Sequence, residues 1–72
     1  MKKASLISIG NEVLSGQTVD TNSAYLGSKL LDLNVPVVSG YTVGDDVGMI
    51  VTAINHAAED SDIILITGGL GP

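Results

Sequence analysis

The sequence has no cysteine, no tryptophan and no phenylalanine, and its three basic residues, Lys2, Lys3 and Lys29, leave arginine absent. Without cysteine no disulfide can close, and a single histidine, His56, cannot build a Cys/His zinc site. The missing thiols fit a reducing compartment, so a cytoplasmic location is expected. Lys2 and Lys3 precede only Ala4-Ser5-Leu6-Ile7-Ser8-Ile9, too short and too polar for a signal-peptide core. No apolar run approaches the ~20 residues of a membrane span. Positive charge is equally scarce: eight acids leave a net charge of -5. Nucleic-acid binders need Lys and Arg to displace counterions and aromatic rings to stack on bases. Tyr25 and Tyr41 are the only aromatics, so neither nucleic acid nor membrane is an expected partner.

What is present is an apolar chain of 72 residues, 44% hydrophobic and far outside the range of disordered polypeptides. Such a chain makes at most one domain, and small domains bury only ~60% of their unfolded surface. So apolar a small chain expects part of its surface to be covered by something else. Leu6 to Ile9 is a short β-type run ending at Gly10. Between Ser23 and Asn34, Leu26, Leu30 and Leu33 recur at helical spacing, flanked by Ala24 and Leu31. Thr21 or Asn22 can cap that helix, and Asn34 before Pro36 marks its end. Pro36 to Val43 is β-branched, with Gly40 as a bulge or close-packing point. Asp45-Asp46 opens a second helix whose apolar face is Val47, Ile50, Val51, Ile54, Ala57 and Ala58. Asp62 leads into Ile63-Ile64-Leu65-Ile66, a run so apolar that it predicts a parallel strand buried on both faces.

The order is β-α-β-α-β, which predicts an α/β domain of three layers, helices on both faces of a parallel sheet. Strand order 2-1-3 is favoured, with 3-2-1 as the alternative. Stopping just after its most apolar strand, residues 1–72 read as the N-terminal part of one such domain. Strand three would then be covered by a missing C-terminal portion or by self-association.

In open parallel sheets ligands bind beyond the carboxyl ends of the strands, where strand order reverses. Three segments fall there: Gly10-Asn11-Glu12-Val13-Leu14-Ser15-Gly16-Gln17, Gly44-Asp45-Asp46 and Thr67-Gly68-Gly69-Leu70-Gly71-Pro72. The last reads two ways. Thr67, Gly68, Gly69 and Gly71 can aim backbone N–H groups and a hydroxyl at a phosphate, or simply form a tight turn. It is neither a GxGxxG fingerprint nor a Walker A sequence. Gly10 permits a sharp exit from strand one. Glu12 can orient a ligand hydroxyl, bind a metal through water, or be solvated. Of Asp45 and Asp46, one suffices as a helix cap, which leaves the other for a divalent cation beside a phosphate. His56 reads as a solvated surface residue far from this edge, and Met49 and Tyr25 as packing. Ser5, Ser8 and Ser15 have no histidine or lysine base at a suitable spacing, so nucleophilic catalysis finds no support.

Ile9-Gly10-Asn11-Glu12-Val13-Leu14-Ser15-Gly16-Gln17-Thr18-Val19-Asp20-Thr21-Asn22 resembles the opening of the competence/damage-inducible CinA family. Tyr41-Thr42-Val43-Gly44-Asp45-Asp46 and Thr67-Gly68-Gly69-Leu70-Gly71-Pro72 are similar to its next two motifs, in order and at the right separations. Asn11 departs from the pattern, which more often has Thr or Asp there. The resemblance implies a molybdopterin-binding-type fold and a nucleotide pyrophosphatase that uses a divalent metal such as Mg²⁺. It implies ADP-ribose as favoured substrate, or more broadly a small-molecule nucleotide or pterin phosphate as partner. On the same grounds Asp45 is the implied catalytic and metal-binding residue. Gly10, Asn11, Glu12, Thr67, Gly68, Gly69 and Gly71 are the implied ligand and phosphate contacts. The family pattern continues past Pro72 with a Thr and paired aspartates, and many members add a C-terminal deamidase for nicotinamide mononucleotide. A non-catalytic phosphate-binding module is the alternative.

Overall fold

The computed structural model describes residues 2–17 and 19–68. Strand β1 (Ala4–Ile9) leads into a short helix α1 (Asn11–Leu14), followed by α2 (Thr21–Asp32), β2 (Val37–Val43), α3 (Val47–Asp60) and β3 (Ile63–Gly68). The three strands form one parallel sheet in the order β2-β1-β3, the favoured arrangement. Crossing helices on both faces follow from β1's pleat, because alternate side chains of a strand point to opposite sides. Ile7 and Ile9 join Val43, Ala53 and Ala57 in the core beneath α3. Ser8, of opposite parity, meets Ser23 of α2 at 2.7 Å.

Burial follows position in the sheet rather than the hydrophobicity of the strand. Every residue of β1 is buried, including Ser5 and Ser8. The aliphatic run of β3, expected to be covered on both faces, is only half-buried, and Ile66 is 48% exposed. The correction has a simple cause: β3 is a sheet edge among the described residues, and only the central strand has neighbours on both sides. Ile7, fully buried, is the largest side chain at the centre. Ile7→Val removes one methylene from that packing and is expected to cost about 1 kcal/mol in chemical denaturation.

Both long helices pack differently from expectation, and α2 also begins differently. α2 starts two residues earlier than Ser23, and its cap is Asp20, whose Oδ1 accepts the Ser23 N–H at 3.1 Å, rather than Thr21 or Asn22. Its end is as expected, with Asn34 in the left-handed region at φ 61 just beyond the last turn. Leu26 and Leu30 are half-buried, but Leu31 and Leu33 are exposed. Tyr25 is exposed rather than packed, with the Lys29 ammonium 5.5 Å from its ring centroid. On α3 the buried line is Ala53 and Ala57, flanked by Ile50 and Ile54, whereas Val47, Val51 and Ala58 face outward. Small alanines let this helix lie close to the sheet. The irregularity in β2 sits opposite Ala4 and Ser5, where pairing jumps from Val37 to Ser39. Gly40 pairs regularly and faces open space, so it is not the bulge.

Candidate functional site

Parallel pairing brings the carboxyl ends of all three strands to one edge, and the described part of each expected loop is there. On the β2 side, the Gly10 N–H donates to Val43 O at 3.0 Å and the Asp45 N–H donates to Asn11 Oδ1 at 2.9 Å. Asp46 is the α3 cap, its Oδ1 accepting the Met49 N–H at 2.9 Å. Among the described residues the Asp45 carboxylate accepts no hydrogen bond, so the second aspartate is indeed left free of capping. Asn11 is thereby joined to Asp45, and the two form one cluster.

On the β3 side, a cleft of about 200 Å³ is lined by Glu12, Thr67 and Gly68 together with Ser8, Asp20 and Asn22. Gly68 has φ +85, and a Cβ built on it would stand 2.1 Å from the Ile9 carbonyl oxygen. Only glycine fits there, so close approach of β3 to the end of β1 is part of the edge itself. Gly10 is less constrained than expected: its φ of 161 is extended backbone, and the atoms nearest to an added Cβ belong to the Glu12 carboxylate, the far end of a flexible side chain. The expected site residues therefore fall into two groups on either side of β1, Asn11 with Asp45 and Glu12 with Thr67 and Gly68. Gly69 and Gly71 lie outside the described residues.

Residues 5–72 match the family described as "Probable molybdopterin binding domain". The chain belongs to that family, and its relatives within it are CinA-like proteins. It is 46% identical over 70 residues to a CinA-like protein of Frankia casuarinae, covering 97% of this chain and 16% of that protein. A putative competence-damage inducible protein of Natranaerobius thermophilus is 43% identical over 67 residues, 93% of this chain and 16% of the relative. The crystal structure of the protein CinA with unknown function from Thermoplasma acidophilum superposes with a TM-score of 0.94 at 45% identity, covering 99% of this chain and 42% of that one. The chain thus spans about a sixth of the length of the curated relatives named here.

Sequence reasoning passed over one residue of this CinA-like edge altogether. Asp20 lines the cleft and accepts hydrogen bonds from the hydroxyls of Ser8 and Ser23. The Ser8 hydroxyl above all, then that of Ser23, holds the Asp20 carboxyl below its ordinary value, against an opposing effect of burial. The signal was present as a serine inside an otherwise aliphatic strand end, but pairing across 12 residues is invisible to local spacing. A second, shallower groove of about 550 Å³ runs between β2 and α3 past Tyr41, Met49 and His56. His56 is exposed as expected, yet its ring stands 6.5 Å from that of Tyr41, so it belongs to this groove. Tyr41 donates its hydroxyl proton to Asp60 at 2.8 Å, which raises its own pKa. No helix among the described residues is long and apolar enough to cross a membrane.

Proposed function

We propose that this chain serves, within the intact protein, hydrolysis of a nucleotide pyrophosphate of the ADP-ribose kind, with Asp45 as the principal acid. The observation that carries the reading is the Asp45 carboxylate, free of structural hydrogen bonds at the edge where the strands end. Relatives with CinA-like names support the family context, and the loop chemistry supports a phosphate-bearing ligand.

The described residues gather no group of three or more acids or histidines able to hold a metal alone. One free carboxylate does fit a magnesium ion that arrives on its substrate, because Mg²⁺ is usually bound through one or two carboxylates plus phosphate oxygens. When bound, such an ion supplies charge neutralisation and Lewis acidity to the pyrophosphate. Asp45 is the residue that would hold it. Gly68, whose missing side chain lets β3 approach β1, lines with Thr67 the cleft that would take the phosphates. Water oxygen forms the new bond to phosphorus, the bridging P–O bond breaks, and AMP and ribose 5-phosphate leave. Asp45→Asn keeps the size of the side chain and removes its charge. It is expected to lower ADP-ribose turnover in Mg²⁺ by at least about tenfold; unchanged turnover takes Asp45 out of the mechanism.

A second reading is favoured by the family description itself: a pterin-phosphate or nucleotide-phosphate binding module without hydrolysis. Both ligands carry phosphate, so the same edge serves either. Binding of a pterin phosphate with no release of AMP from ADP-ribose selects the binding module.

A further inference from the structure

Among the described residues the β1–α1 and β2–α3 segments are joined by one side-chain hydrogen bond, Asp45 N–H to Asn11 Oδ1 at 2.9 Å. Gly44, the residue before Asp45, is fitted around the same oxygen. A Cβ built on it would stand 2.8 Å from Asn11 Oδ1 and 3.3 Å from Leu14 Cδ2. Gly44 has no positive φ, so its backbone does not require glycine; the close approach of Asn11 does. Two independent features of the sequence are thus shaped to one contact.

We infer that Asn11 is a positioning residue that acts through Asp45. Its amide oxygen fixes the turn that carries the Asp45 carboxylate against the end of β1, and so is spent on the protein rather than on a ligand phosphate. Asn11 and Asp45 are both exposed, and the Asp45 N–H has no other acceptor among the described residues. Without the side-chain oxygen the turn keeps only the Asp46 N–H to Gly44 O bond at 2.9 Å and the Asp46 cap beyond it. Those hold α3 but not the direction in which Asp45 leaves the sheet. Displacements of about 1 Å at a reacting group are enough to cost large factors in rate, so a lock of this kind matters where Asp45 acts. The inference rests on the reading of Asp45 given above.

The experiment pairs amide hydrogen exchange with ADP-ribose kinetics in Mg²⁺ for the wild type, N11A, G44A, the double variant and N11D. N11A is expected to speed exchange at the Asp45 amide about fivefold while the Ile7 amide is unchanged, since a lost hydrogen bond of this kind is worth about 1 kcal/mol. G44A is expected to do the same, by pushing the oxygen away. The double variant is expected to add nothing to either, because the oxygen that the new Cβ strikes is gone. N11D, which keeps an acceptor at the same reach, is expected to restore slow exchange. In turnover, N11A is expected to lower kcat about tenfold with KM within about twofold, and N11D to recover most of it. Unchanged Asp45 exchange in N11A, additive effects in the double variant, or a loosened Asp45 amide with wild-type kcat each overturn the inference. No turnover by the wild type sinks the pyrophosphatase reading instead, and the exchange cycle still decides whether Asn11 holds Asp45.

Discussion

Gly68→Ala is expected to lower stability by about 3 kcal/mol or more, by adding a steric overlap of the overpacking kind to the strain of a positive φ. The added Cβ would sit 2.1 Å from the Ile9 carbonyl oxygen, and that oxygen belongs to the central strand. A Cβ has no rotamer to turn to, so relief requires moving backbone. The backbone in question is the last pair of the β1–β3 ladder, Ile9 with Gly68. Gly68 also carries φ +85, a conformation that L side chains adopt only at a cost. Gly16 separates the two contributions. Its φ is +84, but nothing lies within 4 Å of where a Cβ would stand, so Gly16→Ala meets the dihedral cost alone. In thermal melts Gly68→Ala is expected to fall by about 12 °C or more and Gly16→Ala by roughly 4–8 °C, at the usual conversion for a domain of this size. Equal losses at the two positions would mean that β3 does not approach β1 as closely as described, and the cleft beside them would have to be redrawn.

What was legible in the chain was whatever local chemistry determines. The alternation of apolar runs with helical spacing marked five of the elements, and the three loops singled out as candidate ligand segments were each placed after a strand, at one edge of the sheet. That one of Asp45 and Asp46 caps the helix and the other is left over also followed from two acids at one helix start, and the fold assigns the cap to Asp46. What was not legible depends on neighbours distant in sequence. β1, with two serines in six residues, looks less buried than β3, yet it is the central strand and β3 an edge. Ser8 reads as a polar break in a strand until α2 is folded over it and Asp20 and Ser23 become its partners. Asn11 reads as an implied ligand contact, and its bond to the Asp45 N–H shows only when β2 brings Asp45 beside it, 34 residues on. α1 escaped notice because four residues carry no periodicity to detect. Right-handed crossovers narrowed the strand order to 2-1-3 or 3-2-1, and the fold selects the first, whereas side-chain partners across the fold have no such rule.

Removing Asp20 is expected to be the next most damaging change, and its charge is expected to show in the acid stability of the domain. Asp20→Ala takes away the α2 cap, usually worth ~1 kcal/mol, and leaves the buried Ser8 hydroxyl and the Ser23 hydroxyl to satisfy each other. A total loss of about 2 kcal/mol follows when the unmet hydroxyl donor is counted as well. Asp20→Asn keeps an acceptor oxygen and separates charge from shape. The wild-type carboxyl is held below its ordinary value of 3.8 by the Ser8 hydroxyl, then by the Ser23 hydroxyl and N–H. A carboxyl that is more acidic folded than unfolded adds stability that is complete above the unfolded value, and that stability is lost as pH falls from there through the lower folded value. Wild-type stability from urea midpoints should therefore drop between pH 7 and pH 3 by more than that of Asp20→Asn. The asparagine variant should retain some acid sensitivity, because Asp62 is also held low, chiefly by the Lys3 N–H at 3.0 Å. Identical acid limbs in the two proteins would show that Asp20 serves α2 and the cleft as a hydrogen-bond acceptor only, with no part played by its charge.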